Sequence, residues 1–259
     1  MNIQQYYQQS AAASLNASLA ALIPSILLLI YAFFISQTYQ LCLLAIPFLI
    51  YSFFCYQKFL LNQNRAKAVK LSTTSFELSR THLFESDLLI TFMPAPSLRL
   101  LLFTPNGMKV GEIRDQSFFK LRWLIPNIIE KHMMKKYVLY DYKDEPIVYY
   151  RDLKDRIKII SPDNQEIADI FKGISGKEKE FFLETRSLFI KNSSLQDYSF
   201  HSSDGTQLAR IQTGWMPLEW AERFVHVNTP ILSMNEKLSE SEKIQLFSLL
   251  ISLYQYVDH

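Results

Sequence analysis

The sequence predicts a two-helix transmembrane hairpin followed by an antiparallel β-barrel domain built around a buried hydrophobic C-terminal helix. Three observations carry that prediction. No Asp, Glu, Lys or Arg precedes Lys58, and this opening stretch holds two long apolar segments. Beyond it, one short pattern with a polar turn at its centre recurs four times. The chain then closes on a segment, Ser239 to Val257, that is apolar nearly all round.

Residues 1–16 read as a polar N-terminal tail without a single charge. Residues 17–61 read as the hairpin. Ala17 to Ile35 is uncharged and long enough to cross a hydrocarbon core of about 30 Å at about 1.5 Å per residue. Leu41 to Leu61 forms the second span, with Lys58 placed to snorkel toward the headgroups. The residues between, Ser36 to Gln40, are too few for anything but an antiparallel pair. Pro24 and Pro47 are expected to kink their helices. A cleavable secretory leader is the obvious rival. It needs a basic start, and none is present before the apolar run. A buried hairpin of a soluble core is the second rival, but such helices carry a polar stripe that these segments lack.

Residues 62–74 read as a basic linker. Lys58, Arg65, Lys67 and Lys70 stand without an acid, the first of which is Glu77. The positive-inside rule keeps that cluster in the cytosol. Two spans then place both termini there, in a cell-membrane protein whose polar domain is cytosolic. The remaining 23 basic and 25 acidic groups give no basic domain, so no nucleic-acid partner is expected. Cys42 and Cys55 both lie in the apolar region. That suits a reducing compartment and excludes the usual Cys/His zinc spacing.

Residues 75–259 read as the β-rich domain. Phe103 to Ile113 is FTPNGMKVGEI, Ile160 to Ile170 is ISPDNQEIADI, and His201 to Ile211 is HSSDGTQLARI. Tyr140 to Tyr150, YDYKDEPIVYY, is a looser copy. Asn-Gly and Asp-Gly accept the positive φ angles that a tight primed turn demands. After each turn the apolar positions are three apart, as in Val110 and Ile113. Gly111, Ala168 or Ala209 lies between them, and a bulge there would reconcile the spacing with a strand. Repeated hairpins predict a meander, closed into a barrel. Ser239 followed by Glu242 marks a helix start, and the apolar residues behind it require burial inside the β-domain.

A barrel of antiparallel hairpins around one hydrophobic C-terminal helix resembles the tubby C-terminal-like fold. That superfamily includes plant LURP-one-related proteins and the phospholipid scramblases. The resemblance rests on ISPDNQEIADIFK, HSSDGTQLARIQT and EKIQLFSLLISLYQYV, and covers about Phe76 to Val257. It implies a closed barrel with an axial helix, in proteins that bind or act at lipid surfaces. No phosphoinositide-binding signature is present to carry over.

No catalytic motif emerges. His201, Ser202, Ser203 and Asp204 are consecutive in a turn, and no Gly-x-Ser-x-Gly elbow exists. Asp141, Asp144 and Glu145 lack the glycine and terminal glutamate of a calcium loop. Trp215 and Trp220 are expected to pack in the core. The basic and aromatic stretch Ser117 to Tyr137 is the candidate surface. Within it, Lys120, Arg122, Trp123, Lys131, Lys135 and Lys136 suit an anionic membrane, each cation adding about 1 kcal/mol near it. A solvated, barrel-capping helix is the competing reading. The expectation is a non-enzymatic, membrane-tethered binding module, needing no cofactor or metal. Its partners are membrane lipids or a protein, and a scramblase-type lipid-handling protein is the alternative.

Overall fold

A computed structural model describes residues 1–36, 39–70, 79–95, 97–116, 135–153, 155–175, 178–182, 187–194 and 197–254. The chain divides into two units, Met1–Leu71 and Ser72–His259.

The first unit is a helical hairpin. Helix α1 (Ile3–Ile30) starts well before Ala17, because Asn2 and Gln5 form a reciprocal capping box at its N-terminus. The polar leader is therefore the first turns of the helix. A π-helical turn (Tyr31–Ser36) follows, then a 3₁₀ turn (Tyr39–Ala45) and helix α2 (Ile46–Ala68). Pro24 lies inside α1 as expected. Pro47 does not interrupt a helix. It occupies the first turn of α2, where its missing N–H has no partner to lose.

The two helices are antiparallel neighbours. Gln4 Nε2 donates to the Ala66 carbonyl at 3.1 Å, and midway along, Ser18 and Ser52 exchange hydrogen bonds. Each hydroxyl donates to the other residue's carbonyl, at 2.9 and 3.0 Å. Ser18, Ala21, Ser25, Ser52 and Cys55 are buried, while Leu19, Ile23, Leu27, Phe34, Phe53 and Phe54 are exposed. Small and polar groups face inward and large apolar groups outward, the reverse of a water-soluble helix pair. Both helices are long and apolar enough to cross a membrane.

The second unit is a closed barrel of twelve antiparallel strands. They are β1 (Asp87–Phe92), β2 (Arg99–Phe103), β3 (Lys109–Asp115), β4 (Lys135–Asp141), β5 (Pro146–Asp152) and β6 (Arg156–Ile160), then β7 (Glu166–Ser175), β8 (Glu178–Phe182), β9 (Ser187–Ser194), β10 (Asp197–Ser202), β11 (Gln207–Gln212) and β12 (Ile231–Met234). Each strand pairs with its sequence neighbours, and β12 closes on β1 with Leu88 opposite Leu232. A short helical turn α3 (Leu218–Ala221) lies in the β11–β12 connection. Helix α4 (Glu240–Tyr254) ends the described chain.

The four recurring segments are β2–β3, β4–β5, β6–β7 and β10–β11, and their backbones agree. In each, the fifth residue donates its amide to the carbonyl of the second: Gly107 to Thr104, Asp144 to Asp141, Asn164 to Ser161, Gly205 to Ser202. These fifth residues alone in their turns have positive φ, between 63° and 83°. The geometry is a type I turn closed by a G1 bulge, which corrects the expected two-residue primed turn. One left-handed residue is needed rather than two, so Asp144 and Asn164 can stand where the other copies have Gly.

A second register shift follows in all four hairpins. It skips Val110, Ile147, Ile167 and Leu208; in three of the hairpins the skipped residue immediately precedes the predicted Gly111, Ala168 or Ala209. Adding one residue resets the inward alternation, which is how Val110 and Ile113 both reach the core. In the β6–β7 copy Ile167 stays exposed and Ala168 turns inward instead. At Gly111 the backbone also needs a missing side chain: a Cβ there would lie 2.5 Å from Leu83 Cδ1.

A barrel of this strand number has a bore that strand side chains alone cannot fill. One hydrophobic cluster draws residues from every strand and from α4, including Leu246, Phe247, Leu250 and Ile251. Only a helix inside the bore can touch all of them. Ser239 caps α4 as predicted, its amide donating to Glu242 Oε2 at 2.8 Å. Tyr150 Oη donates to the Ile244 carbonyl at 3.0 Å, and burial pushes this phenol well above its ordinary pKa. Phe84, from the 3₁₀ turn Arg80–Phe84 that precedes β1, stacks on Phe247 at 6.5 Å.

Candidate functional site

The outer wall of β4, β5 and β6 carries the site. Strand alternation sends Tyr137 and Leu139 into the core, and Lys135 shares their side of the strand. Lys135 is only 7% exposed, so it is not on the surface where an anionic membrane could meet it. Lys136 takes the opposite face and is exposed. The other candidates, Lys120, Arg122, Trp123 and Lys131, lie outside the described residues, as does most of their segment.

Directly across from Lys136 in the β4–β5 register stands Arg151, also exposed. Arg151 in turn faces Lys158 on β6. Three cations thus stand in a row across three strands. Like charges directly opposite one another destabilise a sheet by a few tenths to about 1 kcal/mol. Lys158 relieves its charge on Glu166 at 2.7 Å and lies 3.8 Å from Asp169. Arg156 reaches Asp169 at 3.0 Å, and Lys172 pairs with Asp152. Among the described residues, Lys136 and Arg151 have no carboxylate within ion-pair distance. They border a cleft of about 220 Å³ that Gln116, Tyr149, Ser161 and Asn164 help to line.

A second charged group, on β2, β3 and the β4–β5 turn, is linked by its own ion pairs. Glu112 is 1% exposed and accepts from Arg99 Nε at 2.8 Å and Lys109 Nζ at 2.9 Å. Lys109 also reaches Asp144 at 3.0 Å, and Arg114 stacks over the Tyr140 ring at 4.0 Å. Burial opposes charge on Glu112, yet the hydrogen bonds and charges of Arg99 and Lys109 together outweigh it. Its pKa lies below the ordinary value. This network ties β2, β3 and the β4–β5 turn together, with three cations sharing the carboxylates of Glu112 and Asp144.

The other candidates resolve into turn chemistry. Asp141 Oδ1 accepts from the amides of Lys143 and Glu145. Asp204 Oδ1 accepts from the Thr206 amide at 2.9 Å, and that bond holds its pKa below the usual value. The tryptophan expectation is corrected at Trp215, while Trp220 is half-buried. Trp215 is 77% exposed and neighbouring Leu218 88%, both in the β11–β12 connection. Phe224 is the aromatic that packs, edge-to-face on Phe103 at 6.2 Å, while Arg223 donates to the Pro105 carbonyl.

Sequence reasoning missed Arg151. Its signal was the register of YDYKDEPIVYY: counting outward from Asp144 through a G1 turn and one bulge brings Lys136 opposite Arg151.

No protein-family model and no curated protein matches this chain. Among solved structures it is similar to a crystal structure of a protein from Arabidopsis thaliana, at 13% identity and a TM-score of 0.41. The match covers 64% of this chain and 90% of the other.

Proposed function

We propose that this protein is a membrane-tethered, non-enzymatic binding module that engages lipid headgroups at the cytosolic face of the cell membrane. The observation that carries the reading is the exposed Lys136–Arg151 pair on the wall of a barrel joined in sequence to two apolar helices. Two features support the tether. The helices present Leu, Ile and Phe outward around a serine-lined contact, an arrangement suited to lipid and poorly suited to water. Lys58, Arg65, Lys67 and Lys70 follow the second helix without a balancing acid, which favours a cytosolic barrel and cytosolic termini. A barrel closed around its terminal helix is also what the tubby C-terminal-like resemblance leads one to expect.

The test uses the full chain. Membranes washed in alkaline carbonate should retain it, and a reporter joined after His259 should be active in the cytosol. Gentle solubilisation should then recover the protein with anionic lipid, and Lys136→Gln should reduce that lipid. Release by carbonate as a detergent-free monomer would remove the tether. Retention without enrichment of any anionic lipid would remove the headgroup reading.

A further inference from the structure

We draw no further inference here: the strongest candidate, the apolar surface patch of Trp215 and Leu218 on the β11–β12 connection, is exposed, and nothing in the structure shows what covers it.

Discussion

Glu112 shows how a single buried charge is made favourable. Its carboxylate is removed from water but receives Arg99 and Lys109 at hydrogen-bond distance, with Arg114 3.6 Å away. Removing one partner from such a group leaves the others buried and unmatched, which is more costly than never having built the pair. Glu112→Gln should therefore destabilise the full chain by roughly 2–3 kcal/mol, less than a fully buried pair because both arginines remain about a third exposed. The sign of the pH dependence follows from the lowered pKa. The unfolded carboxyl takes its proton first as pH falls. The stabilisation is complete above the unfolded value and is lost as pH drops through the folded one. Thermal melts between about pH 7 and pH 3 should show the parent losing more stability than Glu112→Gln at the acid end. Parallel pH profiles would contradict this assignment.

At the scale of elements, the hairpin is the repeating unit, and one left-handed residue in each decides its turn. Asn164 occupies that place with φ 63°, where two other copies have glycine. Asn164→Gly should be within about 0.5 kcal/mol of neutral, since backbone freedom gained in the turn offsets entropy lost on folding. Asn164→Ala should cost about 1 kcal/mol, because alanine has neither glycine's freedom nor asparagine's tolerance of this region. Denaturant midpoints of the two variants measure the difference, and equal midpoints would argue against the turn assignment. The helical hairpin has its own test. With Cys42 and Cys55 replaced by Ala, a Ser18→Cys, Ser52→Cys double variant should form an intrachain disulfide under mild oxidation. The two hydroxyl oxygens are only 3.0 Å apart in the parent. A pair displaced by two residues along α2 should cross-link far more slowly.

At the scale of the molecule, the barrel and its central helix form one core. Strands contribute the wall, but α4 supplies the side chains that fill the bore, and Phe247 is fully buried against Phe84. Phe247→Ala should cost about 3–5 kcal/mol, because the surrounding wall is closed by hydrogen bonds and cannot collapse into the cavity. Unfolding of strands and helix should stay coincident by far-ultraviolet circular dichroism and tyrosine fluorescence. A melt in which α4 detaches first, leaving the barrel intact, would show that the helix is an appended element rather than the core.

The sequence by itself determined what depends on local pattern. An opening free of Asp, Glu, Lys and Arg, four hairpins with a polar turn at one shared position, and a capped apolar terminal helix were all legible, because solubility, turn propensity and helix capping act over a few residues. Tertiary structure decided what depends on register. The closure of β12 on β1, the inward turn of Lys135 beside the outward turn of Lys136, and the approach of Arg151 to Lys136 each follow from pairing between strands. A shift of one residue exchanges the two faces of a strand. Bulges make that shift at four hairpins, so faces assigned by simple alternation fail just where the cationic wall is formed.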